Sequence, residues 1–333
     1  MMKKLLLGLF LFFSFVVNAQ HTFSIVAVDS ITGEIGSAGA TCGDSIIWPG
    51  TPGAKLISDV IPGIGAIHTQ SYYLEANQIN ANSRMILGDT PQDIINWLVA
   101  NDADFNSTIR QYGVVDYNAG HPRVAAFTGS NCFDYKNHIA GSNYSIQGNI
   151  LLGQEILDSM ESRFINTEGC LVEKLMAALQ GANVVGADTR CSPYGTSSLS
   201  AFLRLAKPTD IANNLFIDLN VAATATGVEP IDVLQTRYNT WKSINNYNCN
   251  SSLNTNDLIF EKKITLYPNP CNNILHIQLF EQSNNDIKIV DLYGRIIYAT
   301  KENNIISINT EKFESGTYII KYGATQKKFF IVH

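Results

Sequence analysis

At 333 residues, with 45% hydrophobic, 10% aromatic and 16% charged side chains, the chain carries enough apolar material for two packed domains and is not a disordered polymer. Its 23 Lys and Arg stand against 29 Asp and Glu, a net charge of −6. That balance removes any general attraction to phosphate backbones or anionic membranes, so nucleic acid is not an expected partner. The chain opens with MMKKLLLGLFLFFSFVVNAQ, in which Lys3 and Lys4 precede an apolar run over 5–17. The run falls short of the roughly 20 residues a membrane span needs, and Val17-Asn18-Ala19 supplies small residues ahead of a cut after Ala19. Residues 1–19 therefore read as a signal peptide, and no transmembrane segment is expected once it is removed.

Strands are predicted over 23–28 and 34–41, alternating around the turn Asp29-Ser30-Ile31-Thr32-Gly33. A strand over 63–69 follows, then helices over 72–87 and 91–100, the second opened by Thr90 as N-cap and Pro91 at its first position. Next come strands over 111–116, 123–128 and 144–147, helices over 154–164 and 171–180, strands over 198–205 and 214–221, and a helix over 230–244. Blocks of strands and helices in this order imply sheets flanked by helices, in a domain over 20–246.

Amides and hydroxyls crowd the stretch 245–256, and a linker is placed at 247–261. Charge changes across it, from 12 basic against 23 acidic residues over 20–261 to 9 against 6 over 262–333. Beyond it, short alternating strands over 264–267, 274–279, 287–291, 296–298, 305–308, 317–322 and 328–332 imply a small antiparallel sandwich.

All six cysteines lie beyond the signal peptide, where an oxidising compartment permits disulfides. Sequence leaves the pairing open; Cys170 with Cys191 closes a short segment and is the first pair to test. There is no C-x-x-C or H-E-x-x-H, and the histidines are scattered, so no metal site is expected. Oxygens alternate over 101–106 as in some calcium loops, but Gly113 stands where the closing Glu belongs, and helix capping or a solvated turn is the better account. No P-loop, G-x-G-x-x-G or G-x-S-x-G is present, and no cofactor is expected.

The series LYPNPCNNILHI (266–277), IKIVDLYGRII (287–297), FESGTYIIKY (313–322) and KKFFIV (327–332) resembles the type A C-terminal sorting domain of the type IX secretion system. The resemblance implies that residues 262–333 engage that machinery, and that the protein crosses the outer membrane of a Gram-negative cell to be secreted or held at the surface. Upstream, TFSIVAVDSITGEIGSAG (22–39), GIGAIHTQSY (63–72), RQYGVVDYNAGHPRVAAFTG (110–129), YSIQGNILLG (144–153) and GADTRCSPYGTSSLSAFLRLA (186–206) resemble the family known as domain of unknown function 1028, which is N-terminal-nucleophile (Ntn) hydrolase-like. That resemblance implies an α+β fold, a four-layer αββα sandwich ahead of the small all-β domain.

Ntn hydrolases attack an amide carbonyl with the side chain of the first mature residue while its α-amine takes the proton. Thr22 occupies the matching position. Cleavage after Ala19 leaves Gln20 and His21 ahead of it, so the amine is free only after further trimming; otherwise Thr22 is an ordinary strand threonine. Asp188, Arg190 and Asn149 are the expected catalytic companions, with Thr69, Gln70, Gln147, Ser197 and Ser198 as substrate-binding candidates, because polar groups inside apolar strands need partners; Asp188 with Arg190 reads equally as a salt bridge that fixes the loop over 181–195, and Gln147 and Asn149 as partners of turn backbone groups. The expected substrate is a small-molecule or peptide amide outside the cell. The alternative is a non-catalytic exported binding protein on the same scaffold.

Overall fold

The computed structural model describes residues 22–249 apart from 119, and residues 264–333 apart from 280–285, 292–294, 302–304 and 323–324. The expected signal peptide and most of the expected linker lie outside the described residues. Two compact units result, one ending at Tyr247 and the other beginning at Asn248.

The first unit starts with a hairpin of β-branched and small residues, β1 (Thr22–Val28) and β2 (Ile35–Thr41), in register from Thr22 opposite Thr41 to Val28 opposite Ile35. Asp29 Oδ1 closes the turn by accepting the N–H groups of Ile31 and Thr32 at 2.8 and 2.9 Å. In chain order there follow β3 (Ser58–Ile61), β4 (Gly65–Ser71), α1 (Glu75–Ile86), α2 (Pro91–Ala100), β5 (Arg110–Asn118), β6 (His121–Thr128), β7 (Asn137–Ala140), β8 (Tyr144–Gly148), α3 (Gln154–Asn166), α4 (Leu171–Gly181), β9 (Ser200–Ala206), β10 (Ile217–Val221) and α5 (Pro230–Ile244). A six-stranded sheet runs β10-β9-β2-β1-β8-β7 and a four-stranded sheet runs β3-β4-β5-β6; every pairing is antiparallel.

Strand alternation divides the side chains between two faces. Phe23, Ile25 and Ala27 of β1 join α3, α4 and α5 in one core, whereas Val26 and Val28 meet Ile35, Val60, Ala66 and Val115 in another, where the sheets face each other. A third core lies under α1 and α2, built from Ile67, Tyr112 and Val114 with Met85, Ile94 and Leu98. Gly36 lets α4 come close to β2: a Cβ there would stand 2.2 Å from Leu175 Cδ1.

Departures from the predicted elements have local causes. Both β3 and β7 have only four residues, too few for alternation to register. Helix α1 begins at Glu75 rather than 72, because Ser71 turns through φ +72° and Leu74 is still extended. Strand β10 begins at Ile217 rather than 214, since Asp210 Oδ2 accepts the Lys207 and Phe216 N–H groups at 2.9 and 2.7 Å and prolongs the preceding turn.

The segment 101–106 that spaces its oxygens like a cation loop surrounds a guanidinium. Arg110, 2% exposed, donates from Nε to Asp102 Oδ2 at 2.8 Å and from Nη2 to Asp104 Oδ2 at 2.8 Å, and Nη1 bonds Tyr72 O. Burial alone would raise the Asp102 carboxyl, but hydrogen bonds from Arg110, the Asn106 N–H and Asn77 outweigh it and hold the group at about 2.

The second unit contains β11 (Ile264–Tyr267), β12 (Ile274–Leu279), β13 (Ile287–Asp291), β14 (Ile296–Thr300), β15 (Ile305–Asn309), β16 (Gly316–Tyr322) and β17 (Thr325–Ile331), in sheets ordered β11-β12-β15 and β14-β13-β16-β17. Leu275, Ile277, Ile289, Ile308, Ile320 and Phe329 fill its core. Tyr318 and Tyr322 are buried with them, which is packing rather than an exposed aromatic strip.

Replacing Arg110 by Met should destabilise the first unit by about 3–5 kcal/mol, because Asp102 is then left charged, buried and unpaired. Denaturant unfolding reads this, and Asp102→Asn added to Arg110→Met should restore part of the loss.

Candidate functional site

The space between the two sheets is apolar at one end of β1 and polar at the other. Side chains at every second position point into it: Thr22 and Ser24 from β1, Ser37 and Thr41 from β2, His68 and Gln70 from β4, Gln111 from β5, and Ser145, Gln147 and Asn149 from β8 and its end. All are buried. Polar groups so placed must satisfy one another. Asn149 donates its backbone N–H to Thr22 O at 3.2 Å, and Gln70 Nε2 donates to the same oxygen at 3.2 Å. Gln111 Oε1 accepts from Gln70 Nε2 at 2.8 Å and from Asn149 Nδ2 at 2.9 Å.

Asp188 bridges to Leu151, just past β8, and reaches the residue that follows β2, so the Asp188–Arg190 segment lies at the same end of the sheet as Thr22. Asp188 is fully buried and accepts from Arg190 through both oxygens, Nε to Oδ1 at 3.0 Å and Nη2 to Oδ2 at 2.6 Å. Its Oδ2 also accepts the Cys42 N–H at 3.0 Å, and Arg190 Nη2 lies 3.4 Å from Thr41 Oγ1, directly across the ladder from Thr22. A disulfide joins Cys42 to Cys191, the residues that follow Thr41 and Arg190, so the carboxylate segment is held to the end of β2 covalently as well as by hydrogen bonds. The expected Cys170–Cys191 pair is therefore incorrect; Cys170 and Cys249 are also disulfide-bonded, while Cys132 and Cys271 are free. A bond spanning 149 residues leaves no trace in local spacing.

Of the expected site residues, Thr22, Asn149 and Gln70 meet directly, and Asp188 and Arg190 meet them through Thr41. Four others are placed differently. Thr69 follows the alternation of β4 onto the α1 and α2 side, where its Oγ1 finds no hydrogen-bond partner among the described residues. Gln147 lies deeper, its Oε1 accepting from Ser145 Oγ at 2.8 Å, its Nε2 2.7 Å from Ser24 Oγ; Gly113 makes room for it, since a Cβ there would stand 2.0 Å from Gln147 Oε1. Ser197 is committed to Glu229, the N-cap of α5, with Oγ to Oε1 at 2.7 Å and N–H to Oε2 at 2.7 Å. Ser198 is buried with its Oγ 3.2 Å from that of Ser197.

His68 is the buried titratable group that sequence reasoning left among ordinary histidines. Its Nδ1 lies 2.8 Å from Ser24 Oγ and its Nε2 2.6 Å from Ser37 Oγ. Burial and then the nearby Arg204 guanidinium push its pKa down to about 3, so the ring is neutral. The signal that finds His68, Thr41 and Gln111 is the period of two, which puts each on the same strand face as a neighbour two or four positions away that points inward: Gln70, Ser37 and Val115. A cleft of about 430 Å³ lined by Asp29, Asn143, Tyr144 and Lys174 lies at the opposite end of β1 and holds none of the expected residues. Among the described residues, no group of three or more His, Cys, Asp or Glu side chains is placed to hold a metal ion.

With this geometry in hand, comparison with known proteins defines the class. The model of a family of unknown function, DUF1028, matches residues 22–231, and the chain belongs to that family. A secretion system C-terminal sorting domain matches residues 265–332. That domain marks the protein for handling by the type IX machinery and export to the cell surface or the extracellular space; among the described residues no helix is long and apolar enough to cross a membrane. The crystal structure of protein SPO2555 from Silicibacter pomeroyi, also assigned to DUF1028, is similar over 67% of this chain and 89% of that one, at 23% identity and a TM-score of 0.53, a likeness of fold. No curated protein matches the chain.

Two outcomes follow. Cys42→Ala with Cys191→Ala should cost about 2–5 kcal/mol in unfolding experiments and speed exchange of the residue 42 amide, whose acceptor is Asp188. For His68, the unfolded ring titrates near 6.5 and the folded one near 3, so below about pH 6.5 the unfolded state alone takes up a proton. Stability then falls as pH drops, by about 1.4 kcal/mol per unit from this residue. His68→Asn should lower stability at neutral pH and remove that slope; equal slopes for the two proteins in urea titrations would show that His68 is not held neutral.

Proposed function

We propose that the protein is an exported amide hydrolase of the N-terminal-nucleophile type, with Thr22 as its nucleophile and an extracellular peptide or small-molecule amide as its substrate. The arrangement of the two facing sheets with helices on their outer sides is then the αββα sandwich of that class. One observation carries the reading: the residue opening the first strand is where Asn149, Gln70, Thr41 and the Asp188–Arg190 pair converge.

In this mechanism the α-amine of Thr22, with an ordinary pKa of about 7.7 to 8.0, is neutral in useful proportion near neutral pH. It takes the Oγ1 proton as the oxygen attacks the amide carbonyl, and returns it to the leaving nitrogen. Water then hydrolyses the ester left on Thr22. Arg190, aligned by Asp188 and 30% exposed along its side chain, supplies positive charge for a carbonyl oxygen or a substrate carboxylate. Removal of residues 1–19 as a signal peptide leaves Gln20 and His21 in front, and their loss frees the amine. Residues 247–261 serve as the linker to the sorting domain.

A second reading, a non-catalytic binding protein on the same scaffold, draws on the complete burial of Thr22. Intact-mass measurement and N-terminal sequencing of the exported protein separate the two. The hydrolase reading expects chains beginning at Thr22 that cleave members of an amide panel, with Thr22→Ala reducing the rate by a factor of about a thousand or more. Exported chains that keep Gln20 or His21 and cleave no amide would favour the binding protein, and a fully active Thr22→Ala variant would sink the nucleophile assignment.

A further inference from the structure

Three side-chain amides meet beside Thr22, and each has a donor end and an acceptor end of nearly the same shape, so something must fix which way each points. Gln111 Nε2 donates to Gly148 O at 2.9 Å and Asn137 O at 3.1 Å, and it lies 2.9 Å from Thr128 Oγ1. The first two are backbone carbonyls, which accept only and cannot turn over. A reversed Gln111 would set its own carbonyl oxygen against both. Its Oε1 therefore faces the site, where it takes Gln70 Nε2 at 2.8 Å and Asn149 Nδ2 at 2.9 Å. The donor end of Gln70 is thereby turned to Thr22 O, and its acceptor end to Ser24 Oγ at 2.6 Å. Direction passes from two peptide carbonyls through Gln111 to Asn149 and, jointly with the Thr22 carbonyl, to Gln70.

We infer that Gln111 is the positioning residue of the Thr22 site: anchored to the backbone of β7 and β8, it sets the orientation of the Gln70 and Asn149 side-chain amides. This rests on the reading of Thr22 as the working residue. Gln111 is fully buried and lies in the four-stranded sheet, while Thr22 and Asn149 belong to the six-stranded side, so it also ties together the two layers that the site straddles.

The test uses the full-length protein with side-chain ¹⁵N-labelled Gln and Asn, and a trimmed form beginning at Thr22. Gln111→Met keeps the length of the side chain and removes both roles. Ser58→Ala removes another buried hydroxyl of the inter-sheet space, one that contacts Ser37 and Arg204 and touches neither Gln70 nor Asn149. In the unsubstituted protein the Gln70 and Asn149 side-chain amide protons should exchange slowly, a measurement that needs no variant to fold. Gln111→Met should speed their exchange about tenfold or more, the worth of one good hydrogen bond, while Ser58→Ala leaves them protected. In the trimmed form, the pH profile for acylation of the Thr22 amine should move in Gln111→Met and stay put in Ser58→Ala.

Exchange at solvent rates in the unsubstituted protein, or equal protection in the two variants, would overturn the role given to Gln111. Slow exchange that Gln111→Met abolishes, in a trimmed protein that cleaves no amide, would leave Gln111 standing as the organiser of these amides and count against the hydrolase reading alone.

Discussion

Two sheets that bury their inner faces against each other shut out bulk solvent, so a polar atom placed between them needs a partner there. That constraint governs the first unit. At one end of β1 it is met by having nothing polar: Val26, Val28, Ile35, Val60 and Val115 close on one another. At the other end it is met by reciprocity, with Ser24, Gln70, Gln111, Gln147 and His68 each serving as another's partner. An unmade hydrogen bond in such a place costs about 1–3 kcal/mol, so the polar end holds one arrangement or loses much of the margin that keeps a domain folded. A site built there has fixed geometry at the expense of access.

The surrounding loops are tied in different ways. Arg110 gathers 101–106 around a single buried cation, and Asp188 gathers the end of β2 and the 188–191 segment around a single buried anion. Each charge is matched by a partner and by hydrogen bonds to its remaining atoms, the condition under which burial of an ion is tolerated. These two centres bring into reach residues far apart in sequence, Cys42 with Asp188 and Asn77 with Asp102.

Much of the framework was legible before the structure. Helices α2 and α5 have the predicted bounds because Thr90 and Glu229 cap them and Pro91 and Pro230 stand at their first positions. The strands of the second unit lie close to where alternation put them. Less was legible where the deciding interaction is long-range. Cys191 pairs with a residue 149 positions away, which spacing cannot reveal. Thr69 and Gln70 look equally polar on paper, yet adjacent strand residues face opposite ways, and which face is the inner one depends on what packs against it. Ser197 reads as a site serine until Glu229 arrives from the start of α5. Thr22, Asn149, Asp188 and Arg190 do converge, whereas His68 and Gln111 stand beside other polar residues, Thr69 to Ser71 on one strand and Arg110 on the other, and the sequence does not say which of these turn inward.

The bond between Cys42 and Cys191 also ties the site to its surroundings. Oxidising compartments keep such a bond closed and reducing ones open it, and export to the cell surface or the extracellular space places this pair in the first kind. With the sulfurs joined, the corner around Thr22 has a covalent restraint as well as its hydrogen bonds; with them reduced, Asp188 would stay beside Cys42 through hydrogen bonds and packing alone.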